Sequence, residues 1–228
     1  MRRSIPTACA GGDDSSVLSA KAIVELQDQR ARAWHVAESG PCEDVAQGGF
    51  APARDAAGEW LTLVVGQHRA NFDLWHIEDE ARAPGATDAE LAAVKRRIDK
   101  ANQLRNDLVE ELDGALIAWL GERGLPREEA PLNSESPGLI VDRLSILSLK
   151  IYHTREEAER ADAPEGHAER NRERLRVLEE QRGDLAGCLD ALWRETAAGA
   201  RRFKLYRQMK MYNDPALNPA IYRRRTRD

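Results

Sequence analysis

Residues 68 to 82 read HRANFDLWHIEDEAR. At a helical advance of about 100° per residue, His68, Phe72, Trp75 and Asp79 fall on one stripe, with Asn71, Glu78 and Arg82 beside it. Trp60, Leu61 and Val64 of the preceding turns share that face, so an imidazole, an amide, two acids and a guanidinium point where hydrophobic residues point. Side chains of these types can read a phosphorylated sugar or nucleotide through charge-assisted hydrogen bonds. Turnover would need one carboxylate to act as a base or a metal ligand.

Two further segments repeat the pattern. In KRRIDKANQLRNDLVEELDGALIAWL the apolar stripe is Ile98, Ala101, Leu104, Leu108, Leu112, Leu116 and Trp119, and Arg105 falls inside it. Asp99, Asn102, Asn106, Glu110 and Asp113 border that stripe at spacings of three or four, which stacks them along one line of the helix. A solvated face accounts for this acidic line as well as a site does. Arg105 is harder to place in water, and an unpaired buried guanidinium costs roughly 3–5 kcal/mol, so an acid is expected to meet it. In LIVDRLSILSLKIYHTREEAER, Asp142 and His153 share a line with Ile146 and Leu149, and Arg143 and Lys150 lie two turns apart. Complementary charges on three helices imply a connected network, which a structural ion-pair network would equally produce.

The tail ARRFKLYRQMKMYNDPALNPAIYRRR changes character. Arg201, Arg202, Lys204, Arg207 and Lys210 interleave with Phe203, Tyr206, Met209, Met211 and Tyr212. Such a stretch can hold phosphates and stack on bases or sugars. Alternatively it is a terminal helix that docks Phe203, Tyr206 and Met209 and leaves its arginines solvated. The turn signals at Asn213 and Asn218 make the tail fold back. The candidate ligand-binding set is therefore Asn71, Trp75, Glu78, Asp79, Arg82, Asn102, Arg105, Asn106, Asp142, Arg143, Lys150, His153, Arg202, Tyr206, Arg207 and Lys210. Glu78, Asp79, Glu110 and Asp113 are the candidate metal ligands, and magnesium is the metal considered; His68, Asp142 and His153 complete the residues able to ligate.

The elements that must position these groups are helices. Residues 1–16 are rich in Gly, Asp and Ser and are expected to be a disordered tail, with one helical domain over 17–228. A helical pattern runs from Val17 to Glu38, and a second from about Ala56 to the stop at Pro84 and Gly85. A third begins at the capping box of Thr87 and Glu90 and ends at Gly121 or Gly124. Ser136 with Pro137 opens a fourth, apolar nearly all round and hence the buried centre of a bundle. The last spans His167 to Ala198, carrying Leu175, Leu178, Leu185, Leu189 and Leu192. No strand candidates remain, so the fold class is all-α, a single bundle of five to six helices.

The chain has 228 residues, 42% hydrophobic and 32% charged, which suits a soluble protein of amphipathic helices. A net charge of −5 disfavours nonspecific nucleic-acid binding. No apolar run reaches the roughly 18 residues of a membrane span, and the start lacks the apolar stretch of a signal peptide, so a cytoplasmic location is expected. Cys9, Cys42 and Cys188 are scattered singly, without zinc-knuckle or disulfide spacing.

Two resemblances follow from these strings. Glu110 and Asp113 in EELD, opposite HIEDE, loosely resemble the all-α nucleotide pyrophosphohydrolases, which hold magnesium with acids from two adjacent helices; the Glu-x-x-Glu element of that family is missing. NFDLWHIEDEAR, IDKANQLRNDLVEELD, LNSESPGLIVDRLSILSLKIYH and YRQMKMYNDPALNP, spread over most of residues 57 to 222, resemble a bacterial domain-of-unknown-function family numbered four-two-five-four. Ser136 stands where that family's string has Thr, and either residue can cap a helix. Members are often encoded near envelope-glycan glycosyltransferases, which implies an association and no mechanism. Three functions are carried forward: a site for a sugar phosphate or nucleotide-like anion in glycan metabolism, a noncatalytic partner of a glycosyltransferase, and a magnesium-dependent nucleotide pyrophosphohydrolase-like enzyme. A homodimer through exposed leucines of the last helix is a further expectation.

Overall fold

The structure, a computed structural model, describes residues 18–38, 56–209 and 216–217. The expected N-terminal tail, Cys9, Cys42, Lys210, Met211 and Tyr212 lie outside the described residues. Five helices are present among the described residues: α1 (Ala20–Glu38), α2 (Ala56–Glu80), α3 (Asp88–Gly121), α4 (Pro137–Glu159) and α5 (His167–Ala197). The fold is all-α, and none of these helices is long and apolar enough to cross a membrane.

The helix boundaries follow local chemistry. Between α2 and α3 the chain turns at Pro84 and at Gly85, whose φ of 85° favours glycine. Thr87 then accepts from the Glu90 amide at 3.3 Å while the Glu90 carboxylate accepts from the Thr87 amide at 2.8 Å, closing the capping box. Ser136 caps α4, its hydroxyl oxygen accepting from the Leu139 amide, and Pro137 occupies the first turn, where a missing N–H costs nothing.

α4 packs against all four other helices. Its Ile140, Val141, Leu144, Leu147, Leu149 and Ile151 are buried, and Ile140, Val141 and Leu144 share the main core with Ile23 of α1, Trp60 and Val64 of α2, Leu112, Leu116 and Leu120 of α3, and Leu189 and Trp193 of α5. A smaller cluster of Ala31, Trp34, Phe72 and Leu149 lies further along α1, α2 and α4. The tightest crossing is that of α3 and α4 at Gly138. A Cβ there would sit 2.8 Å from the Val109 carbonyl oxygen and 2.8 Å from Asp113 Oδ1, so only glycine lets the two backbones approach this closely.

Three expectations about exposure change in three dimensions. Leu104, counted in the apolar stripe of α3, is 52% exposed, because it sits at the edge of the stripe that no neighbouring helix covers. Conversely Asp113, counted on the acidic border, is buried under the start of α4. Of the α5 leucines, Leu189 and Leu192 are buried and Leu175, Leu178 and Leu185 are half-buried. Leu185 packs against the main core and Leu178 lines a recess with His153, so these leucines are less exposed than expected.

Residues 201–209 of the tail form an extended strap and not a helix, while the turn signals at Asn213 and Asn218 lie outside the described residues. Arg202 pairs in parallel with Leu132. Its amide donates to the Pro131 carbonyl at 3.0 Å, and its carbonyl accepts from the Asn133 amide at 2.7 Å. Phe203 joins the main core, whereas Tyr206 and Met209 remain exposed. A helical docking face would have buried all three.

Candidate ligand cleft around Arg105 and Asp142

The polar groups aimed inward meet on one carboxylate. Asp142 of α4 accepts from Gln67 Nε2 at 2.6 Å and Asn71 Nδ2 at 3.0 Å, both on α2. Arg105 of α3 donates to it twice, from Nε to Oδ1 at 2.7 Å and from Nη2 to Oδ2. Asp142 is therefore the acid that Arg105 requires. These paired bonds raise the Arg105 pKa further, against burial, which lowers it. Fixing Nε and Nη2 leaves Nη1 as the guanidinium nitrogen that Asp142 does not take.

Behind this pair lies His68, fully buried. Its Nε2 is 3.0 Å from the Gln27 carbonyl of α1, so that nitrogen carries the proton. Nδ1 then accepts from the Ser145 hydroxyl at 2.7 Å, and Ser145 Oγ accepts from Asn71 Nδ2 at 2.9 Å. Burial drives the His68 pKa down to about 4, so the ring is neutral at physiological pH. Helices α1 to α4 are thus joined by one chain of hydrogen bonds in which the single negative and single positive charge meet face to face.

Asp113 makes a separate connection. Its Oδ1 accepts from the Gly138 amide at 2.7 Å and its Oδ2 from the Ser136 hydroxyl, so the carboxylate of α3 caps the N-terminus of α4. Burial raises its pKa to about 6, while the two hydrogen bonds pull the other way.

Several of the residues singled out in the sequence border one open cleft of about 440 Å³ between α2, α3 and α4. Asn71, Trp75, Glu78, Asp79, Arg82 and Arg105 line it with Leu74, Ile146 and Leu149. Ile146 also borders a recess of about 530 Å³ between α4 and α5, which contains Arg143 and Lys150. A smaller cavity of about 160 Å³ holds Asn106, Glu110, Asp113, Asp142 and Tyr206, and Arg105 forms the wall between it and the cleft. His153 lines a fourth recess, of about 500 Å³, with Trp75 and Lys150.

Other candidates sit differently from their helical phase. Asp79 and Arg82 are exposed, with Arg82 paired to Glu78 at 3.2 Å and to Asp79 at 3.5 Å. The polar stripe of α2 outruns the core, so its last turn forms the rim of the cleft and not its floor. Arg202 is engaged by the backbone, donating from Nε to the Ala130 carbonyl at 2.8 Å. Arg207 lies 3.6 Å from Glu110, and Asn102 is half-buried on α3 away from these cavities. The four candidate metal ligands are not brought together. Glu78 and Asp79 border the large cleft, Asp113 is committed to α4, and Glu110 accepts from the Gln208 amide at 2.9 Å.

The sequence reading passed over His35, His76 and Gln67. Gln67 is buried against Asp142. His35 of α1 and His76 of α2 stand beside His153 of α4, with one ring nitrogen of each within 4.8 Å of the others. No short-range spacing links three residues drawn from three helices. The available signal was weak: Phe72 and His76 lie one turn apart beside Trp75 on the same helix as the polar stripe.

No curated protein and no solved structure matches the chain. Residues 61–205 match the family described as proteins of unknown function, DUF4254, and with most of its length inside that match the chain belongs to this family.

Proposed function

We propose that the protein binds a small anionic ligand of the sugar-phosphate or nucleotide type in the cleft between α2, α3 and α4. The observation that carries this reading is the lining of the 440 Å³ cleft: apolar Leu74, Trp75, Ile146 and Leu149, with Asn71 and Arg105 as the polar groups at its floor. A mostly apolar cleft with a few placed polar groups, within about 300–1,000 Å³, is the ordinary form of a small-molecule site. Arg105 is already neutralised by Asp142, and Arg82 is paired with Glu78 and Asp79, so the cleft offers no surplus positive charge. A sugar or base is therefore assigned to the cleft, beside Trp75 and the free Nη1 edge of Arg105. The phosphate is assigned to the adjoining recess, where Lys150 and Arg143, the latter paired with Glu135 at 2.9 Å, stand with Asp184.

Nothing in this reading requires turnover. A second reading rests on the pairing within the Asp142 cluster, where the carboxylate takes donors from Gln67, Asn71 and Arg105. Such a cluster can serve only to fix helix register, and the protein is then a noncatalytic accessory partner of a glycosyltransferase in envelope glycan metabolism. Thermal-shift screening with inorganic phosphate, sugar phosphates, nucleotides and nucleotide sugars separates the two, since a ligand that binds only the native state raises Tm by mass action. The ligand reading expects at least one sugar phosphate or nucleotide to stabilise the wild type. It also expects that shift to be lost in the Arg143→Gln/Lys150→Gln double variant, whose ligand-free Tm changes little because both side chains are exposed. Silence of the whole panel on the wild type overturns it.

A further inference from the structure

We propose that His35, His76 and His153 form a binding site for a divalent first-row transition metal, zinc being the default occupant. The site lies where α1, α2 and α4 meet, and it is separate from the anion cleft.

Three observations support it. First, one ring nitrogen of each histidine lies within 4.8 Å of the other two. A tetrahedral ion with metal–nitrogen bonds of about 2.0–2.1 Å holds its nitrogens roughly 3.4 Å apart, so side-chain rotations of about an ångström complete the shell. Second, the opposite nitrogen of every ring is tied to an acceptor. Nδ1 of His35 donates to the Ala31 carbonyl at 2.7 Å, Nδ1 of His76 to the Phe72 carbonyl at 2.8 Å, and Nδ1 of His153 lies 3.0 Å from the Glu156 carboxylate. A carbonyl or carboxylate accepts only, so each Nδ1 carries the proton and the coordinating electron pair resides on Nε2. Metal-binding histidines are oriented in this way by a second ring of carbonyl or carboxylate acceptors. Third, His153 Nε2 is buried and has no hydrogen-bond partner. A buried acceptor left in that state costs free energy, and a cation at the centre of the trio would recover it.

The surroundings hold the rings in place. Trp75 stacks on His153, with ring centres 4.9 Å apart and planes 10° apart, and Tyr152 stacks on His35 at 4.0 Å and 11°. Three imidazoles and no carboxylate in the trio select zinc, copper, nickel or cobalt over magnesium or calcium. Three protein ligands leave a fourth coordination position. His153 also lines the recess of about 500 Å³ beside Trp75 and Lys150.

The test uses the full chain, stripped of metal with a chelator and titrated with cobalt(II) as the spectroscopic probe. The expected result is one equivalent bound, with the strong visible bands of four-coordinate cobalt, displaced by zinc and unaffected by magnesium. His76→Gln and His153→Gln should each weaken cobalt binding by at least about tenfold. The control His167→Gln, at a histidine outside the trio that is paired with Glu157, should leave it unchanged. Should a variant misfold by circular dichroism, X-ray absorption of the cobalt-loaded wild type replaces it, with three imidazole nitrogens expected in the first shell. Absence of binding at one equivalent of metal, binding that persists in the His76→Gln/His153→Gln double variant, or a first shell dominated by oxygen overturns the proposal. None of these outcomes bears on the anion cleft, whose probes are phosphates and not metals.

Discussion

Two polar clusters occupy the same inter-helix seam and are built oppositely. The one around Asp142 draws on Gln27, Gln67, His68, Asn71, Asp142 and Ser145 of α1, α2 and α4, and adds Arg105 of α3. The other uses His35, His76 and His153 of the same α1, α2 and α4. On each helix the second set lies about eight residues further on, or roughly 12 Å at about 1.5 Å per residue. In the first cluster donors meet acceptors and a negative charge meets a positive one, leaving the side-chain carbonyls of Gln27 and Gln67 as buried acceptors without a partner. In the second, three nitrogens of like character face one another. Burial alone therefore does not distinguish a structural polar cluster from a site. The distinction lies in whether the groups complement one another.

The largest expected effect tests the closed cluster. Arg105→Ala leaves Asp142 buried without its counter-charge and should destabilise by roughly 3–5 kcal/mol, toward the lower end because Gln67 and Asn71 still donate to it. The Arg105→Met/Asp142→Leu double variant should recover only part of that loss, since an apolar pair of similar volume needs no partner but Gln67 and Asn71 lose the acceptor they share. Denaturant unfolding gives both values, and a single-variant loss below about 1 kcal/mol would break the contrast drawn here.

Acid titration comes next, because two buried groups respond in opposite senses. His68 has a folded-state pKa of about 4 against 6.5 in the unfolded chain. The unfolded state therefore binds the extra proton, and stability falls as pH drops through that window, by about 3 kcal/mol in all. Asp113, with a folded pKa of about 6 against 3.8, gains a proton first in the folded state, so its contribution to stability is greatest at low pH and is lost as pH rises through that window. The two partly cancel in the wild type. Asp113→Asn keeps a group able to bond to Gly138 and Ser136, and should be neutral or stabilising at pH 7 while steepening the loss of stability below pH 6. An unchanged slope in the difference between variant and wild type would show that Asp113 is not the opposing group.

A smaller loss is expected at the α3–α4 crossing. Gly138→Ala should cost about 1–3 kcal/mol, because the new methyl meets a backbone carbonyl that cannot move aside. A neutral variant would mean that the helices can separate without loss. The smallest effect belongs to the rim of the cleft. Arg82→Ala, at a side chain 67% exposed, should change stability by less than about 1 kcal/mol, and a larger loss would place it within the closed cluster.

Much of the fold is legible in residue order. The capping box at Thr87, the proline start at Pro137 and the Pro84–Gly85 stop mark boundaries that appear within a few residues of where local chemistry puts them. The all-round apolarity of α4 identifies the central helix. Arg105 and Asp142 are recognisable as charges on inward faces, because phase along a helix is a local property. Phase is less informative at helix ends, as Asp79 and Arg82 show: the stripe continues, but the core beneath it does not. The strap at 201–209 was equally readable as a helix, since its backbone partners lie some seventy residues away at Pro131 and Asn133.

By itself the sequence determined the number and order of the helices, the central position of α4 and the presence of uncompensated polar groups on three inward faces. These follow from a 3.6-residue period and from capping chemistry, both of which act over a few residues. Tertiary structure alone decided which groups meet. Arg105 reaches Asp142, Asp113 caps a helix it precedes by 24 positions, and His35, separated by 41 residues from His76, shares a corner with it and His153. Those pairings depend on the rotation and offset of one helix against another, and that register is set by the summed packing of side chains and by close approaches such as Gly138.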